Sequence, residues 1–191
     1  MLRYKVATTK LTGLDSNVFI WAKNGIFRSV SRTEFKAVVR HARVTTPGLV
    51  ELTPKFRLLV PFVPQQITSK IIAQVRAKPY LEQLFYLYWN QDVSCWNLVI
   101  PKQHQGTLFC QDKNPFPSPP AIEIHSHGTT KAFFSKADDL EETGVRISTV
   151  IGNSLHQLEI VSRVCAHGAF LNISSNLIYQ DINQYCHDLS L

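Results

Sequence analysis

With 191 residues, 45% of them apolar, the chain is long enough for one substantial domain, or one domain with an appendage. No run of about 18 apolar residues occurs, so no membrane-spanning helix is expected. The formal charge is +6, unevenly spread: residues 1–80 carry 14 basic and 3 acidic side chains, residues 81–191 carry 6 and 11. The basic residues are scattered among apolar ones, with no basic run and no nucleic-acid-binding motif, so nucleic acid is not an expected partner.

Met1–Lys10 has no apolar h-region, and Cys95, Cys110, Cys165 and Cys186 are far apart with no C-x-x-C pair. These features are read as a cytoplasmic protein with reduced cysteines and no cysteine-zinc site.

In chain order, Tyr4–Thr8, Asn17–Lys23, Phe27–Val30 and Phe35–Arg43 are short β-rich segments. Asn24-Gly25 is a hairpin signal, and Thr46-Pro47-Gly48 marks a further turn. Residues 1–62 therefore read as a β-rich subdomain. Val60–Pro64 is an extended linker into a second unit, residues 63–191, because each proline restricts itself and its predecessor. Gln66–Lys78 places Ile67, Ile71, Ile72 and Val75 at helical spacing. Strands are expected at Glu82–Trp89, Cys95–Ile100 and Thr107–Cys110, followed by a loop at Lys113–Pro120 holding four prolines. Ala121–His127 reads as a strand, and a short helix follows Ser135 near 136–142. Val145–Ile151, Leu158–Cys165 and Ala169–Ile173 read as strands, the first two joined by Gly152-Asn153-Ser154. The tail Asn176–Leu191 is expected to be helical or frayed. The pattern predicts an α/β (α+β) fold: a mixed central sheet flanked by helices, with an N-terminal β-rich extension.

The most informative stretch is residues 123–139, which contains H-x-H, seven residues, then S-x-x-D: His125, His127, Ser135 and Asp138. On a strand, His125 and His127 point to the same face, while Ile122 and Ile124 point to the other. Two imidazoles and a carboxylate make a three-ligand zinc set with one position open, the catalytic rather than the structural arrangement. Ser135 and Asp138 also form a capping box at a helix start, a role compatible with ligation by Asp138. His41, His104, His156, His167 and His187 have no ligand spacing and read as surface or capped-turn residues. Trp89 and Trp96 read as packing residues, and Thr129 and Thr130 as loop residues.

A hydrolytic zinc site needs a carboxylate to move the proton. The candidates are Glu51, Glu82, Glu123, Glu141, Glu142 and Glu159. Glu141 and Glu142 look like a solvated helix face. Glu123 sits two residues behind His125 and reads as a partner or strand-edge charge. Glu82 heads a buried apolar strand, where a lone carboxylate is costly unless it has work to do, and it is the preferred candidate.

The motif resembles the JAMM (MPN-plus, Mov34) zinc metalloprotease family over roughly residues 66–172. The stretches Glu82–Trp89 and Cys95–Gln103 resemble its bacterial, mobile-element-associated branch, the PRTRC system protein A subgroup. The resemblance implies a central sheet of the cytidine-deaminase-like kind, with helices on its flanks. It also implies His125, His127 and Asp138 as ligands of Zn²⁺, Ser135 as stabiliser of the reaction intermediate, and Glu82 as general acid/base. The implied activity is hydrolysis of a peptide or isopeptide bond in a protein or peptide substrate, in the family often a ubiquitin-like conjugate. Two departures stand out: Gly128 where many members carry proline, and Gln83-Leu84-Phe85-Tyr86 where small residues are usual. Two other readings are a non-catalytic MPN-like interaction module and a RadC-like DNA-associated protein. A nucleobase deaminase is disfavoured, since the H-x-E and P-C-x-x-C pairing is missing.

Overall fold

The computed structural model describes residues 3–9, 17–114 and 118–190. The first 58 residues supply β1 (Arg3–Val6), β2 (Val18–Ala22), β3 (Gly25–Ser31), β4 (Phe35–Ala42) and β5 (Lys55–Leu58), which form one sheet in sequential order. Gly25 follows Asn24 at the β2–β3 turn, so the Asn-Gly signal falls at a hairpin. Helix α1 (Gln65–Ala77) opens directly after Pro64 and buries Thr68, Ile71, Ile72 and Val75. Burial of the three aliphatic side chains is worth roughly 5–9 kcal/mol.

The second sheet uses β6 (Leu84–Asn90), β7 (Cys95–Val99), β10 (Ile122–Ser126), β11 (Val145–Gly152), β12 (Leu158–Ala166), β13 (Ala169–Ile173) and β14 (Cys186–Asp188). Its order is β13-β12-β11-β10-β6-β7, with β14 added alongside β12. The β10–β11 pair is parallel and the β10–β6 pair antiparallel, so the sheet is mixed. Between β7 and β10, β8 (Gln103–Gln105) and β9 (Cys110–Asp112) make a separate small hairpin. A six-residue helix, α2 (Lys136–Glu141), lies between β10 and β11.

Among the described residues helix accounts for 14% and strand for 44%, so the fold is more β-rich than an α/β assignment implies. Two expected elements change. Thr107–Phe109 is exposed and forms the turn of the β8–β9 hairpin rather than a strand, closed by Gly106 N–H donating to the Phe109 carbonyl at 2.8 Å. The tail makes two 3₁₀ turns and the strand β14 instead of a helix. Ile178, Tyr179, Ile182 and Cys186 are at most 3% exposed, so apolar burial decides its course. A buried hydroxyl chain secures it: Tyr179 Oη donates to Thr149 Oγ1 (2.9 Å), Thr149 Oγ1 meets Ser162 Oγ (3.0 Å), and Ser162 Oγ meets Ser175 Oγ (2.9 Å). Residues 115–117 of the proline-rich loop lie outside the described residues.

Strand alternation sorts the larger sheet into two unlike faces. Phe85, Leu87, Ile122, Ile124, Ile147, Leu158 and Ile160 point into the main apolar cluster with Ile71, Ile72 and Val75 of α1. Val30, Phe35, Ala37 and Val39 of the first sheet join that cluster, so the expected boundary at residues 62–63 is crossed by shared packing. Arg32 adds a polar tie: Nη1 donates to the carbonyls of Pro120 (3.1 Å) and Val145 (2.9 Å), and Nη2 to that of Pro119 (3.3 Å). Replacing Arg32 with alanine should cost about 2–4 kcal/mol in urea-unfolding experiments, since it orphans carbonyls at the starts of β10 and β11. The opposite face sets Glu123, His125, Arg146 and Arg163 among apolar neighbours such as Leu84 and Val150, and it carries the candidate site.

Candidate metal centre

β10 runs out at Ser126, and the chain there presents both histidines. His125 and His127 are each 7% exposed, with their Nε2 atoms 3.2 Å apart. Asp138 enters from α2, placing Oδ1 3.5 Å from His125 Nε2. Ligand atoms of all three residues lie within 4.8 Å of one another. Two donors held at 2.0–2.1 Å by a tetrahedral zinc ion are about 3.3–3.4 Å apart. The His125–His127 and His125–Asp138 separations bracket that value, and the third pair lies within 4.8 Å, close enough for the set to converge on one ion.

Burial lowers the pKa of both imidazoles, that of His125 to about 4, against the pull of the Asp138 carboxylate, and so favours the neutral form that can ligate a metal. His127 Nδ1 lies 3.3 Å from the Lys131 carbonyl, an arrangement that puts the proton on Nδ1 and turns the Nε2 lone pair toward the cluster. The Phe133 ring meets the His127 ring edge-on at 4.7 Å.

Ser135 and Asp138 form both halves of a capping box. Asp138 N–H donates to Ser135 Oγ at 3.2 Å, and Ser135 N–H donates to Asp138 Oδ2 at 2.6 Å. The carboxylate therefore divides its labour: Oδ2 caps the helix and Oδ1 faces the histidines. The Ser135 hydroxyl accepts from Asp138, and among the described residues no acceptor takes its own proton.

Of the six candidate glutamates, Glu82 is best placed. His125 lies opposite Leu84 in the antiparallel register, and Ser126 N–H donates to the Gln83 carbonyl. Continuing that register by one more pair sets Glu82 across from His127, on the same face of the sheet. Its backbone is tethered to the small hairpin: its N–H donates to the Gly106 carbonyl (2.8 Å), and its carbonyl accepts from Gln105 Nε2 (3.1 Å). Partial burial and then the negative charge of Asp138 push its carboxyl up to about 7. That value suits a group exchanging protons near neutrality, and Glu123, which burial also pushes up to about 7, shares it, so position and not titration separates the two.

The others are engaged elsewhere or distant in role. Glu123 is paired with Arg146 Nη1 at 2.8 Å. Glu142 is 3% exposed and paired with Arg146 Nε at 2.7 Å, which corrects the expectation of a solvated residue. Helical spacing could not have announced this pair, because Glu142 ends α2 and Arg146 already lies on β11. Glu159 accepts from the Ala132 N–H at 3.2 Å, Glu51 pairs with Lys23, and Glu141 is exposed. The five remaining histidines are all exposed. Trp96 is buried with Nε1 donating to the Pro61 carbonyl, and it stacks edge-on with Trp89.

Gly128, the departure from the resembling family's proline, has φ +55°. A proline ring fixes φ near −65°, so proline cannot take this loop conformation. A Cβ at Gly128 would also lie 3.0 Å from the Pro79 carbonyl oxygen. No protein-family model and no curated protein matches the chain.

Proposed function

We propose that this protein is a zinc-dependent metallopeptidase or isopeptidase of the JAMM type. The observation that carries the reading is the convergence of His125, His127 and Asp138 on one point; the strand register, extended past its last pair at His125–Leu84, brings Glu82 to the same face. A zinc ion held there would supply Lewis acidity and bring the pKa of a bound water to about 7.

The chain's own residues do the rest. His127 is oriented by the Lys131 carbonyl, and Asp138 by its own helix cap. Glu82 accepts the proton of the attacking water and delivers it to the departing nitrogen. The Ser135 hydroxyl donates to the oxyanion that develops on the substrate carbonyl, a contribution of about 3–4 kcal/mol in comparable sites. The substrate in this reading is a protein or peptide amide, with a lysine-linked ubiquitin-like conjugate as the first choice.

The test is metal analysis coupled to cleavage. The purified chain, equilibrated with zinc and dialysed, should hold one ion, and His125→Ala should lose it. At zinc about 1,000-fold above Kd, binding stabilises the fold by about 4 kcal/mol. For a chain of this size, chelation should then lower Tm by roughly 8–16 °C. Cleavage of a fluorogenic lysine-isopeptide substrate should stop with chelator and return with zinc. A native chain that retains no metal and shows no chelator-sensitive Tm ends this reading and leaves the non-catalytic module.

A further inference from the structure

Helix α2 sits on the sheet without an apolar anchor. None of its six residues is buried, and Leu140 is 81% exposed. Two arginines of the sheet face that carries the site hold it instead. Arg146 on β11 donates from Nε to Glu142, the C-cap of α2, and from Nη1 to Glu123. Arg163 on β12 is 3% exposed, and its Nη1 pairs with Asp139 Oδ1. Its guanidinium lies between two aromatic rings, 3.8 Å from the centroid of Phe134 and 3.8 Å from that of Phe170.

The order of these contacts along the chain matters. Phe134 immediately precedes Ser135, and Asp139 immediately follows Asp138. One guanidinium therefore grips both flanks of the four residues that cap the helix and present the carboxylate. We propose that Arg163 is a positioning residue, clamping the Ser135–Asp138 turn to the sheet so that Asp138 Oδ1 stays within reach of His125 and His127. The proposal rests on the metal-site reading above and adds to it the residue that fixes the third ligand.

Arginine suits this place for a physical reason. Its planar cation stacks flat on two rings while an edge makes the ion pair, whereas lysine offers a point charge on a flexible stem. Among the described residues, Arg163 Nε and Nη2 are buried without hydrogen-bond partners, and leaving donors unmade in a protein interior is costly.

The experiment compares the native chain with Arg163→Met, Arg163→Lys and Asp139→Asn. It uses hydrogen exchange on the metal-free proteins, then zinc affinity by competition with a chromophoric chelator. Arg163→Met should lose exchange protection over residues 134–142 and weaken zinc binding by about 10–100-fold, the range for groups that orient ligands. Arg163→Lys should fall between Arg163→Met and the native chain. Asp139→Asn should weaken zinc in the same direction; because Asp139 is half-exposed, this variant keeps the test open if Arg163→Met fails to fold. Native-like protection and affinity in Asp139→Asn, or exchange raised throughout the sheet with no selective change at 134–142, overturns the proposal. If the native chain binds no zinc, the functional reading fails by itself, and the exchange data still decide whether the clamp exists.

Discussion

Glu82→Gln should cut turnover of a lysine-isopeptide substrate by about 10²–10⁴-fold while leaving one zinc ion bound per chain. The substitution keeps the shape of the side chain and removes only its capacity to take up and release a proton. The metal should stay because Glu82 lies outside the His125–His127–Asp138 cluster. The corresponding rise in barrier is about 2.7–5.4 kcal/mol. Glu123→Gln is the informative comparison. Glu123 shares the strand face of His125, yet its carboxylate is taken by Arg146. It should lose some stability and retain most activity. Full turnover by Glu82→Gln together with loss in Glu123→Gln would transfer the proton-moving role to Glu123.

Gly152→Ala should damage the site from behind. Gly152 ends β11, and a methyl group there would overlap the Ala132 amide nitrogen, the Lys131 carbonyl carbon and the Thr130 carbonyl oxygen. All three are backbone atoms and cannot swing aside. The Lys131 carbonyl is the group that orients His127, so displacing this loop turns the imidazole away from the cluster. We expect a loss of about 1–3 kcal/mol in thermal or urea unfolding, the usual range for overpacking, and zinc affinity about 10–100-fold weaker. Gly144→Ala is the control. A Cβ at Gly144 has nothing within 4 Å, and its effect should stay within about 0.5 kcal/mol. Similar behaviour of the two variants would remove the loop from the account of His127.

The parts of this site that could be read from the chain are those governed by local periodicity. Alternation along β10 was enough to put His125 and His127 on one face, because side chains on a strand repeat every second residue. The S-x-x-D spacing was enough for the capping box, because the first helical turn has fixed geometry. The core face of α1 followed from the spacing of Ile71, Ile72 and Val75 in the same way. What could not be read depends on distant pairings. Arg163 meets Phe134 and Asp139 only after β12 has been laid beside β11. The overlap at Gly152 involves a loop twenty or so residues earlier, where the sequence shows only a turn. The tail looked weakly structured because its strand is three residues long and exists only by pairing with β12.

That tail has a consequence for how the protein is made. Ile178, Tyr179 and Ile182 cover the underside of strands that were synthesised well before them. Tyr179 bonds to Thr149 of β11 and β14 pairs with β12, and β10 with His125 lies next to β11. Until residues 178–188 have cleared the ribosomal tunnel, that apolar face has only α1 and the first sheet to cover it, and the part the tail takes stays open.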